Sequence, residues 1–338
     1  MKKHRCLTLV CCLKKLCLLL IVLSLGIFAS CAARNTIRPG TDTLTISAKA
    51  DGTLQAKRSP VFVIEHPEEP YNLIGMPRAW VTEDLTERVG VDPGHPTIYY
   101  EARNFQTPRS SYRNLIFRVH FEKVPLKLFP FYLVAGKNVG LFVVVTLDAK
   151  DRPILYTLVH TCGCYLAFIP TSYMPEYAFP QPWNKSRQKV YSEDLPGMLK
   201  YPQHFDERTR LVITLRHGTH RVKDVRLYDM AAPGSPHGST AALSPMESLE
   251  TLCLDDGRFT SFFETSGPRK GYVKSSTKIW ERLFMGWWAF DWRVGEDKKL
   301  GKNRDDAILF YTSLTPWKKD ASDMRDFSTF LKFWGWNL

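Results

Sequence analysis

Residues 140–161 constrain the fold more than any other stretch. Leu141–Leu147 is an apolar run, Asp148–Pro153 reads as a turn, and Ile154–Thr161 returns with the same character. Two such runs joined by turn chemistry make a β-hairpin. The neighbouring segments repeat the signal. Thr43–Lys49 alternates, Asp51-Gly52 suits a hairpin turn, and Val61–Ile64 is β-branched. Asn114–Glu122 alternates around Ile116, Val119 and Phe121. A second hairpin spans Arg210–Asp229, with arms Leu211–Leu215 and Val222–Tyr228 and a tip at His217-Gly218-Thr219-His220. These spacings predict an antiparallel sheet or sandwich. Residues 170–205, rich in Pro, Tyr and Trp, predict a long ordered loop.

The pattern changes near residue 231. Ala231–Leu243 reads as a linker or surface loop. Ser244-Pro245-Met246-Glu247 has the form of a capped helix start. Lys278–Phe290 carries a helical stripe of Ile279, Trp280, Leu283, Phe284, Trp287 and Trp288. Ala307–Thr312 suits a strand and Asp323–Trp334 a further helix. The expected class is α+β: a β-rich region over 43–230, with a smaller, mixed helical and aromatic-rich part over 231–338 that is either separate or continuous with it.

Residues 1–30 hold no acid and five bases: Lys2, Lys3, Arg5, Lys14 and Lys15. Leu16–Phe28 is apolar and shorter than the roughly 20 residues of a spanning helix. This is a signal-peptide pattern. Ala29-Ser30-Cys31 follows, small residues directly before a Cys, and resembles the lipobox of bacterial lipoproteins. The resemblance covers the leader and its cleavage site only. It implies cleavage before Cys31, acylation of Cys31, and a short tether over 31–42. Its implied location is the bacterial cell envelope, lipid-anchored, at the outer membrane facing the periplasm, because Ala32 is not the aspartate that retains such proteins at the inner membrane. The alternative is an inner-membrane protein with an uncleaved amino-terminal anchor. The formal charge of +12 is reduced accordingly, since removing the leader leaves 41 basic against 34 acidic residues. Export removes the main reason to expect a nucleic-acid partner.

Of eight cysteines, only Cys162, Cys164 and Cys253 would remain in the folded part. Three thiols make no disulfide framework. The sharpest local feature is His160-Thr161-Cys162-Gly163-Cys164. On a continuing strand, alternate residues share a face, so His160, Cys162 and Cys164 would align. Imidazole and thiolates suit zinc or copper, with a fourth ligand from His217, His220 or Cys253. Other readings are a Cys162–Cys164 disulfide, buried thiols beside a core histidine, or a Cys activated by His160. No hydrolase, metalloprotease or phosphate-loop motif is present, and no cofactor is demanded.

Seven of the nine Trp lie in residues 280–338, interleaved with lysines. One helical face accounts for most of these rings, as in an aromatic core. Trp and Phe with Lys also suit a membrane interface, carbohydrate stacking or a partner interface. The expected function is a non-enzymatic envelope lipoprotein that binds or scaffolds. Its partners would be the lipid bilayer, through acylated Cys31, and an envelope protein or polymer. The alternative is an envelope enzyme or metal protein centred on His160, Cys162 and Cys164.

Overall fold

The structure, a computed structural model, describes residues 43–202, 208–232, 238–303, 305–306 and 308–338. The leader, Cys31, the tether and Ala307 lie outside the described residues. In chain order the elements are β1 (Thr43–Ala48), α1 (Leu54–Arg58), β2 (Val61–Glu65), β3 (Met76–Val81), β4 (Glu87–Asp92), β5 (Thr97–Gln106), β6 (Ser111–Val124), β7 (Gly136–Leu147), β8 (Pro153–His160) and β9 (Leu166–Pro170). There follow β10 (Arg187–Val190), β11 (Glu193–Pro196), β12 (Thr209–Leu215), β13 (Val222–Asp229), β14 (Ser239–Pro245), β15 (Leu252–Cys253), β16 (Phe259–Thr260), α2 (Ile279–Met285) and α3 (Phe327–Phe333). The class is α+β and strongly β-rich. No helix among the described residues is long and apolar enough to cross a membrane.

Ten strands form one sheet in the order β13-β12-β2-β1-β14-β5-β6-β7-β8-β9. Most pairings are antiparallel, as expected. Three are parallel: β12 with β2, β1 with β14, and β14 with β5. The sheet curls, because side chains from its two ends share one core. Leu211, Ile213 and Val225 at one end cluster with Leu158, Ala167 and Ile169 at the other. The β10–β11 hairpin sits near the gap between those ends. It buries Leu195 in that core, and Glu193 binds Arg216 beyond β12.

The expected β7–β8 hairpin is in register from Leu141↔His160 to Thr146↔Leu155, and shifts by one residue at Leu147↔Pro153. Its run is apolar because both faces of β7 are covered. Leu141, Val143 and Val145 face the inner core. Phe142 and Val144 face a second cluster, roofed by Phe310, Met324, Phe330 and Trp336 of the carboxyl-terminal region. A third cluster packs the β3–β4 hairpin against residues 249–273.

Several expectations are corrected. Asp51-Gly52 makes no hairpin turn. Asp51 accepts from the Thr53 amide at 2.8 Å and Thr53 caps α1, so a helical turn joins β1 to β2. The supposed linker at 231–243 contains most of β14, which lies inside the sheet. Because the sheet holds Ser244 and Pro245, Ser244 caps nothing, and residues 246–250 form a 3-10 turn. Residues 308–312 contribute only a bridge between Tyr311 and Asp323 rather than a strand. Both later helices are shorter than their apolar stripes. The second begins at an Asp326 cap, whose carboxylate accepts from the Thr329 amide at 3.0 Å.

Candidate functional site

The strand carrying His160 does not continue. β8 ends at His160, and Thr161–Cys164 fold into a tight turn before β9. The Gly163 amide donates to the His160 carbonyl at 2.7 Å and the His160 amide to the Tyr165 carbonyl at 3.1 Å. Gly163 has φ +85°, and a Cβ there would lie 2.2 Å from the Tyr311 carbonyl oxygen. Only glycine satisfies both conditions. The turn replaces same-face alignment with close packing of the two cysteines: the Cys164 amide donates to Cys162 Sγ at 3.3 Å. Both sulfurs are free. Cys162 is buried and Cys164 half-buried.

A buried set of charges converges on this turn from α2 and from residues 295–298. Lys278, directly before α2, pairs with Asp297 at 3.2 Å, and Asp297 also accepts from the Thr161 hydroxyl. Lys298 donates to the Cys162 carbonyl at 2.9 Å and lies 4.1 Å from the Tyr311 ring centroid. The 295–298 segment is pinned by the Lys298 amide on the Thr161 carbonyl and by the Val273 amide on the Asp297 carbonyl. Glu281 faces inward against Gly295, where a Cβ would lie 1.7 Å from its Oε2. Lys278, Glu281, Asp297 and Lys298 are each at most 2% exposed.

Burial alone would push every one of these groups toward neutrality. It raises Glu281 to about 7 and raises Asp297, and it lowers Lys298. Burial also opposes ionisation of Cys162. Hydrogen bonding from Cys164, the Lys278 ammonium and His160 together outweigh it and hold the Cys162 thiol well below its usual range. Cys164, bonded to Cys162 and buried, is pushed well above. Lys278 is held charged against burial, chiefly by Asp297 and Cys162. The result is a differentiated pair: a buried Cys162 thiol drawn toward ionisation beside a half-buried Cys164 thiol driven away from it.

His160 stacks on Tyr165 at 5.0 Å, and its Nε2 lies 3.3 Å from the His220 carbonyl. His220, expected at an exposed tip, is buried flat against Phe121 at 4.0 Å, and burial drops it to about 3. His217 packs against His66, and Cys253 is exposed on β15. Among the described residues, no three His, Cys, Asp or Glu side chains are grouped so as to hold a metal ion.

The carboxyl-terminal aromatics are largely on the surface, which corrects the aromatic-core expectation. Trp336 is buried, yet Trp287 and Trp292 are each 66% exposed and Trp317 is 80% exposed. The helix is inverted: Ile279 and Leu283 face out while Glu281 faces in. Its amphipathic stripe is satisfied by an outward face because the inward one serves the buried charges. The 126–131 loop extends this surface. Leu126, Leu128 and Phe129 are exposed, and Phe131 contacts Trp280 at 5.6 Å and Phe284 at 6.3 Å. Neither acid within residues 279–293 reaches this surface freely, since Glu281 is buried and Asp291 accepts from Tyr311 at 2.6 Å. Among the cations of these segments, the Arg282 side chain is 41% exposed and pairs with the buried Glu296 at 2.7 Å, and Lys127 lies in the 126–131 loop.

The sequence singled out His160–Cys164, though as a continuing strand, and it did not reveal the partners of that segment. Lys278, Glu281, Asp297 and Lys298 are more than 100 residues away, and nothing local marks them. The one readable sign was two charges, Lys278 and Glu281, set within an apolar helical stripe. No protein-family model, curated protein or solved structure matches the chain.

Proposed function

We propose that the chain is a lipid-anchored protein of the bacterial cell envelope, tethered through acylated Cys31, with a binding role at the membrane surface. The exposed apolar side chains of α2, of residues 287–292 directly after it, and of the 126–131 loop carry this reading. An exposed surface of Trp, Phe, Leu and Ile with interspersed cations suits the interfacial region of an anionic bilayer. The anchor makes a weak second contact effective. At about 3.5 Å per extended residue, the tether over 32–42 keeps Thr43 within about 40 Å of the bilayer. A face so confined meets the surface at high effective concentration.

Two measurements test the two halves separately. Labelling with a fatty acid in an exporting bacterium should mark the chain, and Cys31→Ala should abolish the label. For the face, the full chain is placed on phosphatidylethanolamine–phosphatidylglycerol vesicles containing lipids brominated on the acyl chain. Tryptophan emission should be quenched, and Trp287→Ser with Trp292→Ser should remove most of the quenched fraction. A chain that floats with the vesicles and shows no quenching refutes the face and leaves the anchor standing.

The Cys162 thiol, drawn toward ionisation by the Cys164 hydrogen bond, the Lys278 ammonium and His160, favours a second reading, a thiol-dependent activity. Its distinguishing requirement is access. Reaction of a small alkylating agent at Cys164 in the folded chain, with Cys162 following on local opening, would support it. Inertness of both thiols would leave the cluster a packing device.

A further inference from the structure

On the outer face of the sheet, β6 presents Asn114, Ile116, Arg118 and His120 in alternation. Arg118 is the anomaly. It is 1% exposed and sits where the second and third hydrophobic clusters meet, with its guanidinium 4.8 Å from the Phe142 ring centroid and 5.1 Å from that of Phe263. Nη1 donates to the Lys298 carbonyl at 3.2 Å, whereas Nε and Nη2 are buried without a hydrogen-bond partner. Among the described residues no carboxylate forms an ion pair with it. Burial pulls the guanidinium down to about 9, with Asp297 and Tyr99 opposing from nearby. A buried cation without a partner is costly.

The two unpaired nitrogens form one edge of the guanidinium, the parallel pair of N–H donors that grips a carboxylate with two bonds. That group lines a cavity of about 260 Å³. The cavity's other charges are three bases and four acids, so Arg118 supplies the balancing cation; Lys302 lies 3.8 Å from Glu101, and Glu247 lines the wall as well. Arg103 pairs with Glu101 at 2.7 Å, and Lys299 pairs with Glu250 at 3.0 Å and Asp306 at 2.9 Å. Its remaining wall includes Ile116, Met246, Phe263 and Leu300. We propose that this cavity is a binding site for a small organic carboxylate with an apolar body, held by the free edge of Arg118. The surrounding carboxylates disfavour a doubly charged anion such as phosphate, and the apolar wall favours a ring or short chain behind the acid group. The site does not depend on the anchor or on the aromatic face.

Isothermal titration of the full chain in detergent micelles with sodium benzoate tests it, with micelles alone as the blank. Benzoate should bind saturably at one site. Benzyl alcohol, with the same ring and no charge, and inorganic phosphate should each bind at least tenfold more weakly. Arg118→Met, which fills similar space without donors, should weaken benzoate at least tenfold. Met246→Trp, at a partly exposed wall position, should do the same by occupying the cavity while leaving Arg118 in place. The proposal is overturned if benzoate shows no saturable binding, if either folded variant binds it as the parent does, or if phosphate or benzyl alcohol binds equally well.

Discussion

Glu281 offers the most quantitative test of the buried charge cluster. It is 1% exposed, and burial raises its carboxyl from 4.5 to about 7, with Lys278 opposing. The folded state therefore binds a proton more tightly than the unfolded chain does. Between those two values the folded state holds the proton and the unfolded chain has lost it. Stability accordingly falls as pH rises through this window and levels off above about 7. One pKa unit corresponds to about 1.4 kcal/mol, so this shift amounts to about 3 kcal/mol, a large share of the 5–15 kcal/mol typical of a domain. Glu281→Gln keeps the shape but cannot ionise. Urea unfolding at pH 5 and pH 8, followed by circular dichroism, should show a loss in the parent that is about 2.5 kcal/mol greater than in Glu281→Gln. Asp297 contributes in the same direction in both proteins. Parallel pH profiles for the two proteins would refute the assignment of Glu281 as an acid held protonated by burial.

Gly295→Ala should be among the most damaging conservative changes. It places a methyl against Glu281 at a residue with φ +79°, and a melting temperature lowered by several degrees would register it. Lys278→Met removes the cation that favours the Cys162 thiolate, so the thiolate ultraviolet absorption should titrate at higher pH than in the parent. Asp326→Ala removes the cap of α3 and should cost about 1 kcal/mol in urea unfolding, without altering the cysteine titration.

The parts of the fold legible in the sequence were those governed by local periodicity. The β7–β8 and β12–β13 hairpins announce themselves because each arm pairs with its chain neighbour. β14 was hidden for the opposite reason. Its sequence, Ser-Thr-Ala-Ala-Leu-Ser-Pro, has weak strand character, and its two parallel partners are far away in the chain. Of the site, the cysteine pair could be found, since His160, Cys162 and Cys164 stand out locally, but their turn could not, because it is the Tyr311 backbone against Gly163 that leaves room only for glycine. The charges that control it could not, because long-range packing alone brings Lys278 and Asp297 to Thr161 and Cys162. The aromatic stripe was periodic as expected. Periodicity gives a helix's two faces but not which one points inward, and the burial of Glu281 decided that.

The position of β14 has a consequence for how the chain can acquire its structure. Its first residues pair with β1, from Ile46↔Ser239 to Ala48↔Ala241, and its last with β5, from Ala242↔Thr97 to Pro245↔Tyr100. It therefore splices two four- and five-stranded halves that otherwise share no hydrogen-bonded edge. Before residue 245 has emerged, each half carries an open edge at β1 or β5, and such edges recruit other strands. Joining them requires a loop of roughly 140–190 residues to close, which makes this pairing slow relative to the hairpins. During biogenesis the vulnerable interval is thus the wait for this short strand, and a chain truncated before it would leave two sticky half-sheets in place of one.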